Sequence, residues 1–339
     1  MATEDIFSLG WVSDLIRWLV APIPIRKQTT DIQAVKNCIR VAREGGTIAI
    51  APEGNRTYSG RLCYMNPAIA SLVKKVGLPI ALFRIEGGYG VQPRWSDVNR
   101  KGRMTAGVVQ VIEPEAYKEL TNDQLMEMIY EGLNVNEACV GGEFRHQKTA
   151  EYLERAIYVC PECGLSVFES TDNLISCKNC GLKVRYLPTR ELEKAGGSDK
   201  EFPFRFAAEW YDWQCDFVNG LNLLEGGDTP LYRDKACLSQ VLVYEKKVPL
   251  SDDVEICLYP NKMVMSYEEE TMELKFEEIN AVTVLGRNKL NIYVGRGRGD
   301  TAIYQLKGDK RFNALKYVNL FHRYKNQIKG DEHVKFLGL

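Results

Sequence analysis

Histidine is almost absent from this 339-residue chain: His146, His322 and His333 are the whole complement. Histidine is the side chain whose ordinary pKa, about 6.5, suits it to proton transfer near neutral pH. Chemistry that needs a histidine base must therefore use one of these three. Long apolar runs are missing too. No stretch reaches the roughly eighteen uncharged apolar residues that a membrane-spanning helix requires. The opening residues Met1-Ala2-Thr3-Glu4-Asp5 lack the basic head of a secretory signal. Net charge is close to nil, at −1, which argues against nucleic-acid binding by bulk charge. These absences predict a cytoplasmic protein, peripheral at a membrane.

What is present is globular stock. With 45% hydrophobic and 26% charged residues, disorder as the main state is excluded. The length suggests two or three domains. The small net charge hides an asymmetry. Residues 1–112 carry +7, residues 113–150 carry −5, and residues 287–329 carry +9. Two basic regions in a neutral chain are two places where anions can be met, or two solvated faces balanced in space by acidic ones.

Four of the ten cysteines are grouped. Cys160-Pro161-Glu162-Cys163-Gly164 and Cys177-Lys178-Asn179-Cys180-Gly181 have the spacing of a four-thiolate zinc site. A glycine after each second cysteine permits the left-handed backbone that such a turn favours. A pair of disulfides is disfavoured in a reducing compartment, whereas sulfur ligation alone does not exclude iron. Four thiolates fill a tetrahedral site, so a structural Zn2+ is expected, in a zinc ribbon over residues 158–187.

Patterning divides the rest. Residues 32–44 and 67–76 have helical periods ended by Gly45-Gly46 and Gly77. Thr47–Ala51, Leu78–Ile85 and Met104–Ile112 read as buried strands, an alternation that predicts an α/β domain with a largely parallel sheet. Thr121 and Gln124 form a capping box that opens a helix toward Leu133. Lys148–Ile157 reads as a helical lead into the ribbon, and it carries His146 on its approach. The aromatic-rich residues 202–218 read as core or interface. From residue 236 the texture is all-β, with strands near 237–244, 253–259, 262–266, 271–276, 280–284, 289–294 and 301–306. An amphipathic helix follows from Asp309 to about Ile328. The layout resembles a pleckstrin-homology or GRAM-like barrel with a capping helix. Near the N-terminus, Trp11, Leu15, Trp18 and Leu19 share a face suited to a membrane interface or to core packing.

The most informative stretch is Ile48-Ala49-Ile50-Ala51-Pro52-Glu53-Gly54-Asn55-Arg56. An apolar run enters Pro-Glu-Gly-x-Arg, in which glycine permits close backbone approach and arginine offers a planar donor fork for phosphate. Upstream, Pro22-Ile23-Pro24-Ile25-Arg26 ends in a second arginine. Downstream comes Gly77-Leu78-Pro79-Ile80. This order resembles the glycerolipid (1-acylglycerol-3-phosphate) acyltransferase family over roughly residues 1–112. Pro52, Glu53, Gly54 and Arg56 match the family's Phe-Pro-Glu-Gly-Thr-Arg block, and Ala51 and Asn55 depart from it. The resemblance implies that Arg26, Glu53, Gly54 and Arg56 hold the phosphate of a lysophospholipid, with acyl-CoA or acyl-ACP as donor; the net charge of −1 predicts no nucleic-acid partner.

The resemblance also implies an Asn-His-x4-Asp block upstream of Arg26, whose histidine deprotonates the acceptor hydroxyl. No histidine precedes His146. His146 and Glu151 echo the spacing but read as solvated residues, so no catalytic residue is assigned. Either the chain is a shortened enzyme, inactive as written, or it is a non-catalytic lipid- and membrane-binding adaptor. The expected organisation is an incomplete acyltransferase-like α/β domain (residues 1–150), a zinc ribbon (158–187), an aromatic-rich helical connector (188–235) and an all-β barrel with a C-terminal helix (236–330).

Overall fold

Helical periods in the sequence become helices in the first of two units into which the computed structural model divides. The structure describes residues 2–3, 11–25, 32–241, 247–297 and 300–330. The first unit comprises residues 1–55, 62–85 and 106–135, and the second comprises residues 56–61, 86–105 and 136–339.

The first unit is α/β. It contains α1 (Trp11–Val20), α2 (Ile32–Arg43), α3 (Ala68–Val76), β1 (Ile80–Glu86), β2 (Thr105–Ile112) and α4 (Asn122–Leu133). α3 stops where Gly77 turns left-handed. α4 starts on the expected capping box: Gln124 N donates to Thr121 Oγ1 at 3.2 Å, and Thr121 N donates to Gln124 Oε1 at 2.8 Å. β1 and β2 pair with each other. Leu82 and Ile112 carry the buried side of the pair, packed with Ala70, Leu125 and Ile129. Phe83, Ile85, Val108 and Val111 are exposed, as are Trp11, Leu15, Trp18 and Leu19 of α1.

Thr47–Ala51 does not form the buried strand that its composition predicts. These residues lie in irregular chain, exposed or half-buried. A strand apolar on both faces needs sheet neighbours on both sides. Apart from a two-residue pairing of Ala2–Thr3 with Pro24–Ile25, the described part of this unit offers only the β1–β2 ladder.

The second unit holds the cysteine-bearing ribbon. β3 (Val159–Cys160) pairs antiparallel with β4 (Gly164–Leu165). β5 (Phe168–Thr171), β6 (Leu174–Cys177), β7 (Lys183–Tyr186) and β8 (Leu192–Gly196) form an antiparallel sheet in sequential order. The segment before it is not the expected helix. Residues 147–152 form turns, Leu153–Arg155 is a single 3₁₀ turn, and His146 sits in an exposed loop. The reason is a competing set of acceptors. Ala150 N donates to Asp172 O at 2.9 Å and Tyr152 N to Ser170 Oγ at 2.6 Å, so the β5–β6 hairpin takes amides that a helix would use internally.

The aromatic segment forms α5 (Ala207–Asn219) and is core. Trp210 is fully buried and donates from Nε1 to Val159 O at 2.9 Å. Gln214 spans the entry to the ribbon, accepting from Tyr158 N and Val159 N and donating to Ala156 O. Residues 56–61 and 86–105 are held in this unit by arginines laid on aromatic rings. Arg94 lies 4.6 Å from Tyr58, and Arg100 lies 4.9 and 4.8 Å from Trp95 and Tyr186. A guanidinium is weakly hydrated and flat, so it tolerates such burial better than an ammonium.

Seven antiparallel strands complete the unit: β9 (Tyr232–Val241), β10 (Val248–Leu258), β11 (Lys262–Tyr267), β12 (Glu270–Lys275), β13 (Ile279–Leu285), β14 (Lys289–Gly297) and β15 (Asp300–Gly308). Their order is β12-β11-β10-β9-β15-β14-β13. β12 and β13 are the two edges, so the sheet is a curled half-barrel where a barrel is expected. Leu238, Ile256, Met263, Ile292 and Leu306 line its inner face. α6 (Leu315–Lys329) buries Tyr317, Val318, Phe321 and Tyr324, while Ile328 is exposed.

Candidate metal centre and anion-binding residues

The two Cys-x-x-Cys turns bring their sulfurs together. All four Sγ atoms of Cys160, Cys163, Cys177 and Cys180 lie within 4.8 Å of one another. Cys160 Sγ is 3.6 Å from Cys180 Sγ, and Cys163 Sγ is 3.6 Å from Cys177 Sγ. A tetrahedral ion with 2.3 Å arms has S–S edges of about 3.8 Å, so this donor set fits a metal ion. Gly164 and Gly181 stand at φ +77° and +81°, the conformation their turns require. Cys160 and Cys177 are buried; Cys163 and Cys180 are exposed. Burial pushes the Cys160 thiol well above its ordinary range, so a thiolate there needs a cation.

Glu53 and Gly54 belong to the first unit. Glu53 Oε2 accepts from Cys63 N at 2.8 Å. Burial raises its carboxyl above the usual range, against that hydrogen bond. Gly54 N donates to Ala51 O at 3.1 Å. Its φ is +67°, and a Cβ there would meet nothing within 4 Å. The conformation favours glycine, and open space lies beside the backbone. Arg26 lies outside the described residues.

Arg56 belongs to the second unit, where its Nη1 donates to Gln92 Oε1 at 2.9 Å. Arg94 Nη1 donates to Arg56 O at 3.2 Å, and Arg94 Nη2 to Val284 O at 3.4 Å. Burial lowers the Arg56 guanidinium, and the like charges of Arg287 and Arg94 add to the effect. Arg94, Arg287 and Arg155 were not singled out from the sequence. Arg94 sits in no motif, and Arg287 reads only as part of a Gly-Arg-Asn turn. The +7 of residues 1–112 and the +9 of residues 287–329, which opens at Arg287, are the signals pointing toward a gathering of this kind.

His146 is exposed, and its Nδ1 accepts from Lys148 N at 2.9 Å. Glu151 meets Lys148 Nζ at 3.4 Å. His322 is half-buried in α6, and His333 lies outside the described residues. No described helix is long and apolar enough to cross a membrane.

The sequence model of the Acyltransferase family matches residues 1–85. Among individual relatives, a chloroplastic 1-acyl-sn-glycerol-3-phosphate acyltransferase of Brassica napus is 24% identical over 104 residues, 31% of this chain. That match spans 28% of the relative's own length.

Proposed function

We propose that the chain holds a lysophospholipid acceptor by its phosphate, in acyl transfer of the 1-acylglycerol-3-phosphate type with acyl-CoA or acyl-ACP as donor. The observation that carries the reading is the Acyltransferase match over residues 1–85, which contains Pro52-Glu53-Gly54-Asn55-Arg56. Arg26 and Arg56 supply positive charge, Gly54 lets the ligand approach the backbone, and Glu53 fixes the turn through Cys63 N. The cysteine centre is a structural zinc ribbon, because four thiolates leave no open position for a substrate. In this reading the organisation is the acyltransferase-like region (1–150), the ribbon (158–187), the connector (188–235) and a pleckstrin-homology-like domain (236–330). The return of β15 beside β9, with a helix following, supports the last assignment. Exposed Trp11 and Trp18, with Lys289 and Lys307 paired across β14 and β15, support peripheral contact with an anionic membrane.

A second reading has its own observation. Acyl transfer requires the acceptor hydroxyl to lose its proton as the oxygen attacks the thioester carbon and the thiol leaves. His146 is exposed and already turned onto Lys148 N, and no histidine precedes it. These 339 residues then bind lipid without turning it over, as an adaptor. The test incubates purified protein with a labelled acyl thioester and lysophosphatidate. Binding that Arg56→Ala weakens, with transfer depressed by the typical 10²–10⁴-fold loss of general-base help, supports the adaptor reading. Robust turnover overturns it and supports the enzyme.

A further inference from the structure

The second unit holds two neighbouring arginines, Arg56 and Arg94, that donate to no carboxylate among the described residues. Asp97 accepts from Arg155 Nη1 at 2.7 Å and from Arg287 Nη1 at 3.0 Å. Among the described residues, Arg56 and Arg94 donate only to uncharged oxygens, namely Gln92 Oε1 and the carbonyls of Arg56 and Val284. Arg94 is 6% exposed. A guanidinium buried that far without a counter-charge carries a desolvation cost that a bound anion would offset.

Arg94 links the segments that carry the other two arginines. Arg94 holds the Arg56 carbonyl with one terminal nitrogen and the Val284 carbonyl with the other. Val284 lies near the end of β13, three residues before Arg287. One buried arginine thus joins the Arg56 backbone to the end of β13. Arg287 and Arg94 are the like charges felt at Arg56, which sets each of them within electrostatic reach of it.

We propose that Arg56, Arg94 and Arg287 form one site for a phosphate monoester dianion, so that the β13–β14 turn of the C-terminal sheet takes part in binding it. Two charges on the ligand meet donors from two exposed or half-exposed arginines over a buried third. A planar fork pairs well with phosphate oxygens. Asp97 holds Arg287 through Nη1 alone, among the described residues, and leaves its other donors available. That the monoester is a lysophosphatidate headgroup rests on the acyl-transfer reading; the site itself does not, since inorganic phosphate has the same chemistry.

The test is equilibrium binding to the full chain at fixed ionic strength, with inorganic phosphate and lysophosphatidate as separate probes. Lysophosphatidylcholine, a diester with a neutral headgroup, is the control. Wild type, Arg56→Ala, Arg287→Ala and Arg287→Lys are compared. Arg287 lies in a surface turn, so its variants should fold, and an unchanged melting curve checks this. The expected result is that Arg287→Ala weakens both monoesters about tenfold, the order of one charge-assisted contact. Arg287→Lys should recover part of that loss, and the diester should bind weakly to all forms. If Arg287→Ala binds as wild type does, the three-arginine site is overturned, and Arg56→Ala then reports on the acceptor reading alone. If lysophosphatidate binds no tighter than phosphate while Arg287→Ala weakens both, the anion site stands and the acceptor reading falls. If the wild-type chain binds neither monoester, the site is overturned, and the transfer assay decides the activity separately.

Discussion

Arg155 donates to Asp97 through both ends of its guanidinium, Nη1 to Oδ1 at 2.7 Å and Nη2 to Oδ2 at 3.3 Å, from a side chain only 2% exposed. Burial alone would raise the Asp97 carboxyl. The hydrogen bonds and charges of Arg155 and Arg287 outweigh it and hold Asp97 below the usual carboxylate range. A carboxyl depressed in the fold stabilises it above the unfolded pKa, about 3.9, and that stability is lost as pH falls through the folded value. Asp97→Asn should therefore cost about 2–3 kcal/mol at neutral pH. This is somewhat less than a fully buried pair, because Asp97 is 30% exposed. The variant should also lose part of the acid sensitivity below about pH 4. Urea unfolding at pH 7 and pH 3.5 measures both effects, and equal midpoints for variant and wild type at pH 7 would refute the pairing.

The cysteine centre predicts a metal dependence. Purified protein should carry one metal per chain, released by a strong chelator together with the fold of residues 158–196, because metal binding supplies folding free energy to so small a ribbon. Cys160→Ser should do the same, since Cys160 is a buried member of the four-sulfur set. Metal analysis with limited proteolysis reads this out. A colourless one-to-one complex fits zinc, visible thiolate–iron bands would replace zinc by iron, and a metal-free chain with an intact ribbon would sink the assignment.

The parts of the fold written in local pattern were legible. The seven C-terminal strands appear within a few residues of their sequence positions, because alternation and turn residues such as Pro260-Asn261 and Gly286 are local signals. The Thr121 box and the cysteine pairs are local too. Lys148–Ile157 misled for the opposite reason: its amides are taken by Ser170 and Asp172, about twenty residues onward. The gathering of Arg94 and Arg287 beside Arg56 is likewise tertiary. The Pro-Glu-Gly-x-Arg block identified one arginine, and no spacing rule connects it to a turn more than two hundred residues later.

Asp234 of β9 anchors α6. Its carboxylate receives Lys316 Nζ at 2.7 Å and Tyr317 Oη at 2.5 Å. Burial lowers the Lys316 ammonium despite the opposing pull of Asp234. Removing the acid leaves a buried cation without its partner, so Asp234→Asn should cost about 3–5 kcal/mol. Lys316→Met should cost much less, because the Tyr317 hydroxyl still satisfies Asp234 and the apolar side chain fills the same volume. The asymmetry is the measurement. Equal losses in denaturant unfolding of the two variants would count against a buried charge pair at this joint.

His322 offers a second pH window, separate from that of Asp97. Burial in α6 pushes its imidazole down to about 4, and the charge of Lys329 adds to the shift. The ring packs edge-on to Phe321, with centroids 5.5 Å apart. Unfolded, the imidazole titrates near 6.5. Between these values the unfolded chain binds a proton that the folded chain refuses, so stability falls as pH drops from about 6.5 to 4 and flattens below that. At about 1.4 kcal/mol per pH unit, the full effect is about 3 kcal/mol. His322→Leu cannot titrate, so its stability should stay level across this window while the Asp97 loss below pH 4 persists. Unfolding curves at half-unit steps from pH 8 to 3.5 separate the two groups. A proton-NMR titration of the native protein checks the cause directly: a His322 ring that protonates near 6.5 would show that it is solvated, and the predicted slope would vanish with its burial.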